Sequence, residues 1–461
     1  MLKNANIFEN TPVPKAVAIL ALPTVLSMLV NVVYNMVDTF FVSKTGDPNQ
    51  VAAVSIATPV FLLLMAAGNI FGIGGSAFVS RSLGRKEYTL VKKISSFCFY
   101  TSIGVGIIMG IVFLLEMPLI LKLCGASDNT AGYTKDYLVY IAYGAPFVVV
   151  SCAFSNIVRG EGAAKASMIG MMLGTIVNII LDPIMILSMN MGVAGAAIAT
   201  IIGNICSFVY YLWYLLKKDN SLLSISPKDF DFRNGIFKNV FAIGTPASLN
   251  NILMSLSNII MNNFLARYGD IPVAAMGIAS KANILVVFIQ LGLGMGIQPL
   301  IGYNYGAKNF KRMKAVMKFS MVCNLISSTV LTIIYLIYAE TIIGCFIDNQ
   351  EIVEYGAPML RRIMISMPIL GILFIFGFAF QAMGKALPSL ILSISRQGFV
   401  FLPMLFIGRA IAGLNGIVLA QPVADIFSVV LALVMFLAIN KNLKKQFTAG
   451  TEPAVTTEGN G

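Results

Sequence analysis

The chain contains no histidine, and charged residues occupy only 11% of its 461 positions. The first absence excludes histidine-based triads, histidine metal ligands and histidine proton relays, so carboxylates must carry any titration. The second excludes an ordinary soluble domain, where about 25% of residues are charged. Cysteine is scarce as well. Cys98, Cys124, Cys152, Cys206, Cys323 and Cys345 show no C-x-x-C spacing and mostly sit inside apolar runs, so they read as small apolar fillers, not a disulfide framework or metal cluster. What remains is 57% hydrophobic, against about 45–50% for a soluble chain. This is the composition of a polytopic membrane protein. With no histidine, no dense ligand cluster and no large polar domain, a membrane enzyme or a receptor is not expected. The net charge of +12 would suit nucleic acid, but the basic residues lie in short loops between apolar segments. That placement is the signature of membrane orientation, so lipid is the expected surroundings and nucleic acid no partner.

Segments long enough to cross about 30 Å of hydrocarbon number twelve, six between 16 and 216 and six between 239 and 439. The pattern predicts an all-α membrane protein of two six-helix bundles, 1–216 and 239–440. A polar cytoplasmic linker, 217–238, joins them, and a tail, 441–461, is too poor in apolar residues to fold. If both termini are cytoplasmic, only Lys44, Lys122, Lys135, Arg267, Arg361, Arg362 and Arg409 of the 32 basic residues face outward. The positive-inside rule therefore favours that topology, with the chain in a prokaryotic inner membrane. The halves repeat each other. One ungapped shift of 222 pairs Gly72 with Gly294, Gly84 with Gly306, Lys86 with Lys308, Pro146 with Pro368 and Gly162 with Gly384. Six helices per copy make the repeat parallel about the membrane normal, the usual apparatus of alternating access.

The copies differ in their acids. Asn31, Asn35 and Asp38 fall at i, i+4 and i+7 of the first span, a polar stripe ending in a carboxylate on an apolar helix. A charge at membrane depth costs at least about 2.5–3.5 kcal/mol, which marks Asp38 as a functional residue. Asn178 and Asp182 lie four apart in the fifth span, and Pro183 leaves the carbonyl of Ile179 without its helical donor. Carboxylates, an amide and a freed carbonyl are hard-oxygen ligands that suit Na⁺, or a site that exchanges Na⁺ for a proton. The second copy places Met261 opposite Asp38 and Met404 opposite Asp182, although it keeps a polar stripe at Asn251, Ser255, Asn258 and Asn262. It also holds Lys281, Gln290, Gln298, Arg396, Gln397 and Asp425. Asp425 could pair with Lys281 or with Arg396, and such residues serve packing or substrate contact equally well. Methionines around the fifth span, Met168, Met171, Met172, Met185 and Met189, offer an adaptable lining or plain core.

YNMVDTFFVS in the first span, the RSLGRKE loop after the second, IVRGEGAAKASM after the fourth, NIILDP in the fifth and QPLIGYNYGAK after the eighth together resemble the multidrug and toxic compound extrusion (MATE) transporters, in their MepA-like bacterial branch. The resemblance runs from residue 7 to 440. It implies a V-shaped pair of bundles that exports amphipathic, often cationic, drug-like compounds in exchange for Na⁺ or H⁺, with no other cofactor. The family's cation site falls on Asp38, Asn178, Asp182 and Thr200, with Asn156 nearby, and any Na⁺ belongs to the first four. The expected substrate cavity draws on Asn31, Tyr34, Asn35, Asn258, Asn262, Gln290, Lys281, Arg396 and Asp425. Some members add acids in the second bundle, but the seventh, eighth and tenth spans carry none well inside the membrane here. A lipid-linked oligosaccharide flippase of the same superfamily is the alternative. A monomer is expected, because both halves of the transport unit share one chain.

Overall fold

The computed structural model describes residues 5–217, 221–233, 235–347 and 349–448, and the described residues are helical almost throughout. Chains in hydrocarbon must satisfy every backbone group within the segment, and the helix is the single-segment solution. The order is α1 (Ala5–Glu9), α2 (Val13–Ser43), α3 (Pro48–Gly84), α4 (Tyr88–Leu115), α5 (Met117–Leu123), α6 (Asp128–Gly160), α7 (Ala164–Asp182) and α8 (Gly192–Leu216) in the first repeat. The second has α9 (Ile236–Leu265), α10 (Asp270–Gly306), α11 (Phe310–Ile337), α12 (Ala339–Gly344), α13 (Gln350–Met364), α14 (Met367–Ala382), α15 (Ala386–Ile394) and α16 (Phe401–Thr448). Helix starts carry the expected devices: the Asp47 side chain accepts from the Asn49 N–H ahead of Pro48, and Asn309 and Asn349 cap α11 and α13 in the same way.

Nine described helices are long and apolar enough to span, and α13 with α14, bent by 49°, makes a tenth. The other two of the expected twelve are present but disguised. Residues 386–441 run as one apolar stretch that Gly413, at φ 57°, breaks into two spans, and α9 is less apolar because it carries six asparagines. Two boundaries move. Helix α9 begins at Ile236, not 239, and α16 continues to Thr448, past the expected end at 440; residues 449–461 of the expected tail lie outside the described residues. The duplication extends to backbone geometry. Lys86 and Lys308 take φ of 63° and 58°, and Gly162 and Gly384 take 89° and 75°, each pair 222 residues apart.

Glycines decide how the repeats meet. A Cβ on Gly84 would lie 2.0 Å from the Tyr303 carbonyl oxygen, and one on Gly306 would lie 2.1 Å from that of Arg81, the same contact read from each side. Gly74 meets Val240 of α9, Gly244 meets Ile70 of α3, and Gly292 and Gly296 meet Val25 and Ala21 of α2. Two further contacts join the repeats: the Ser248 hydroxyl donates to the Ala66 carbonyl at 2.8 Å, and Arg81 donates to the carbonyls of Gln381 and Ala382 at 3.2 and 3.0 Å. All of these residues lie in the closing half of α3 and α10, the opening half of α2 and α9, or the end of α14. The seam is therefore at the end bearing the basic loops, and the helices part toward the other. Helix α1 closes over the seam: Phe8 stacks on Tyr303, Tyr303 donates to Glu9, and Arg312 binds the carbonyls of Ile7, Phe8 and Thr11.

The linker is strapped to the first repeat. Ser95, Ser96 and Tyr100 of α4 donate to the carbonyls of Ser224, Ser226 and Ile225, Lys93 pairs with Asp231 at 2.8 Å, and Phe97 packs on Phe230 and Phe232. Glu161, in the loop after α6, is buried beneath it. Its carboxylate accepts from the Tyr214 hydroxyl at 2.7 Å, from the Ser221 hydroxyl and from the Leu222 N–H. Burial outweighs these bonds and pushes the carboxyl up to about 7 from 4.5. A raised acid pKa means that the folded state holds the proton more tightly than the unfolded chain. The contribution of Glu161 is then full below about 4.5 and is lost as pH rises toward about 7. We expect the melting temperature of purified protein to fall over that window by several degrees more in wild type than in Glu161→Gln; parallel pH profiles for the two proteins would contradict this.

Candidate cation and substrate site

The cluster in the first repeat begins with a close crossing of α7 and α8. A Cβ on Gly174 would lie 2.5 Å from the Gly203 carbonyl oxygen, and one on Gly203 would lie 2.5 Å from that of Gly174. One turn beyond Gly174, that crossing sets Asn178 against α8. With the Asn178 amide oriented to satisfy both neighbours, its Nδ2 donates to Asp182 Oδ2 at 3.0 Å, and its oxygen accepts from the N–H and hydroxyl of Thr200 at 2.9 and 3.2 Å. The Tyr34 hydroxyl of α2 lies 3.5 Å from Thr200 Oγ1. Asn204 extends the polar line, donating to the Thr200 carbonyl and accepting from Ser151, each within 2.9 Å. Asp182, Asn178 and Thr200 are all buried. A buried carboxylate needs compensating donors or a cation, and this one sits in a ring of neutral polar groups of the kind that coordinate alkali ions.

Asp182 closes α7, and the chain continues as a π-helical turn, Pro183–Ser188. The break in helical bonding expected at Pro183 thus takes the form of over-wide backbone winding beside the acid, an arrangement common at functional sites. Asn31 and Tyr34 are half-buried on α2, whose packing partners include α7 and α8. Asn35 and Asp38 occupy the same helix, with side chains outside the described residues.

Asn156 is not brought to this cluster. It stands four residues before the end of α6, where it accepts from Arg159 and donates to the Cys152 carbonyl. Helix α7 starts at that end of the repeat, so Asn178, fourteen residues into α7, lies about 15 Å deeper than Asn156. The second repeat settles its own alternatives. Asp425 accepts from Arg396 at 2.8 Å, from Gln421 at 2.9 Å and from Ser366 at 2.9 Å, and it is fully buried. Lys281, exposed on α10, is not its partner. Arg396 is the second residue of a second π-helical turn, Ser395–Phe399, and its guanidinium lies over the Phe374 ring, 5.4 Å from the centroid. Gln290 is buried and donates to the Met367 carbonyl. Gln290, Arg396 and Asp425 therefore tie helices together inside the second repeat, while Asn258 and Asn262 are exposed on α9. Among the described residues no three acidic or cysteine side chains gather into a metal site. Sequence reasoning missed Glu161 and the glycine crossings.

The MatE family model matches the chain twice, over 23–184 and 246–407, which between them take in most of both repeats. This chain belongs to the MatE family. The relatives include the multidrug export protein MepA of Staphylococcus aureus, 34% identical over 436 residues that cover 95% of this chain and 96% of that one. The protein of the same name from Staphylococcus saprophyticus is 32% identical over the same shares. Among solved structures, a crystal structure of a MATE protein in the straight conformation superposes with a TM-score of 0.91 over 96% of this chain and all of its own, at 23% identity. An outward-facing MATE family multidrug resistance transporter superposes with a TM-score of 0.90, over 96% of this chain and 99% of its own, at 24% identity. The fold is thus that of MatE transporters, a multi-pass membrane architecture, and the chain is a transporter and not an enzyme.

Proposed function

We propose that this MatE protein is a cation-coupled multidrug antiporter, exporting amphipathic, often cationic, compounds by alternating access in exchange for H⁺ or Na⁺. The observation that carries the reading is the one-sided acid site: Asp182, Asn178 and Thr200 are joined in the first repeat, while the only described acid well inside the second, Asp425, is closed off by Arg396. The relatives named as multidrug export proteins supply the substrate class. Asp38, on the α2 face that carries Tyr34, would complete the ligand set for Na⁺ or take up the proton. A ligand shifts a conformational equilibrium only by its differential affinity for the two states. Residues 1–216 and 239–440 would move as two bundles about the seam, whose closure at the basic end corresponds to an outward-facing state if both termini are cytoplasmic. An inner-membrane monomer accords with this, and a buried carboxylate in the first repeat is the opposite of what the cationic cavity of a flippase would need.

The test is ethidium efflux from proteoliposomes under an imposed Na⁺ or pH gradient. Efflux should follow one gradient and fall to the protein-free leak in Asp38→Asn. Efflux indifferent to both gradients would overturn coupling, and efflux surviving the substitution would remove Asp38 from the coupling site.

A further inference from the structure

The glycine seam identifies which faces of α9 and α10 look across at the first repeat. On α10, Gly292 and Gly296 touch α2. Eleven residues is three helical turns, so Lys281 and Leu285 stand on that same stripe, about 16 Å further from the seam. Both are exposed, whereas Ala275, Met276, Ala279, Ala282 and Val286 on the other faces are buried within the second repeat. On α9, Gly244 and Ser248 touch α3, and the stripe continues at i+7, i+11, i+14 and i+18 from Gly244 as Asn251, Ser255, Asn258 and Asn262. The three asparagines are exposed and Ser255 is half-buried, while Ser257, Met261 and Phe264 point into the second repeat. Beyond the seam, then, this polar stripe and Lys281 form the second repeat's wall of the opening between the repeats. Counting from the turn that joins the two helices, Lys281 is eleven residues down α10 and Ser255 ten residues up α9 from its end, so they are level.

Lys281 has no ion-pair or hydrogen-bond partner among the described residues. Asp425 is committed to Arg396, and Asp270 lies eleven residues before Lys281 along α10, about 16 Å away. An ammonium held at membrane depth with no described carboxylate paired to it is an uncompensated positive charge, and the carboxamides beside it can turn their N–H groups toward an anion. We propose that this wall is an anion subsite: Lys281, flanked by the α9 amides, receives the carboxylate of amphipathic anionic or zwitterionic substrates. The first repeat's acid and the second repeat's lysine then give the opening two unlike walls, one for cationic and one for anionic groups. The proposal rests on the export reading for its transport consequence, but not for binding.

The experiment compares fluorescein, an aromatic carboxylate, with ethidium, an aromatic cation. Equilibrium binding to the purified full-length protein is followed by fluorescence polarisation, and proteoliposome efflux is measured alongside. A lost charge-assisted bond weakens binding about ten- to a hundredfold, so Lys281→Gln should raise the fluorescein Kd by that much. The ethidium Kd should change less than about twofold, and Lys281→Arg should keep fluorescein affinity. An unchanged fluorescein Kd in Lys281→Gln, or a wild type that binds ethidium and not fluorescein, overturns the subsite. Lys281-dependent fluorescein binding without efflux of either dye upholds the subsite and overturns the export reading instead.

Discussion

Gly306→Leu is expected to abolish efflux while leaving a folded protein in the membrane. A Cβ at this position would lie 2.1 Å from the carbonyl oxygen of Arg81 and 3.1 Å from its Cα. Both are backbone atoms of a helix, so no side chain can swing aside to relieve the clash. Overpacking a well-formed core costs about 1–3 kcal/mol where side chains can adjust, and a rigid backbone contact costs more. One apolar core runs across both repeats and passes this contact at Leu83 and Tyr303, while a second, inside the first repeat, lies away from it, so the strain falls on the seam. Moving a two-state equilibrium from 1:99 to 99:1 takes about 5.5 kcal/mol, which a single leucine wedged between α3 and α10 approaches. Efflux should drop by roughly a hundredfold, and a cysteine placed at Ser80, now buried, should become reactive to a thiol reagent. Gly84→Leu should do the same from the other repeat, whereas Gly377→Leu, where a Cβ meets nothing within 4 Å, should not. Normal efflux in Gly306→Leu would show that the seam does not need to close during transport.

Asp182→Asn should separate stability from transport. The side chain is completely buried and bonded to Asn178, which in turn is bonded to Thr200. Asparagine has the same shape and can still accept from Asn178 through its amide oxygen, so the crossing of α7 and α8 should persist. Removing a buried ionisable group also removes its desolvation cost, and replacing such groups is often neutral or stabilising. The melting temperature should therefore hold or rise. What disappears is the only described carboxylate in the cluster, and with it most of the site's differential affinity for a cation. Gradient-driven ethidium efflux should fall about a hundredfold, and Na⁺ or acid should no longer change the melting temperature by ligand linkage. Retained cation-dependent stabilisation in Asp182→Asn would place the coupling site elsewhere.

Some of this was legible in the residues and some was not, for reasons of range. The duplication was fully readable, since identities such as Gly84 with Gly306 and Lys86 with Lys308 encode a seam glycine and a left-handed turn in each copy. Asn178 and Asp182 were readable because four residues along a helix are neighbours in space. Thr200 could be placed only through resemblance: it joins them through the Gly174–Gly203 crossing, and no local pattern says which helices cross. The choice of Arg396 over Lys281 for Asp425 was likewise undecidable, because both fit by charge and only the packing of α16 against the second π-helical turn separates them. Nothing in the residues around Glu161 marks it as buried. Its burial depends on Tyr214 and Ser221, 53 and 60 residues away.

A seam confined to one end makes each repeat a lever. The two seam helices α3 and α10 have 37 residues each, about 55 Å from end to end. A tilt of roughly ten degrees about the innermost glycine contacts, Gly74 and Gly292, sweeps the far end of each helix through about 6 Å, with displacements near the fulcrum of no more than a bond length or two. The linker, bound to α4 and freed only near Gly235, crosses between the repeats close to that fulcrum, where the swing is smallest. The polypeptide connection can therefore be short and firmly held without shortening the stroke.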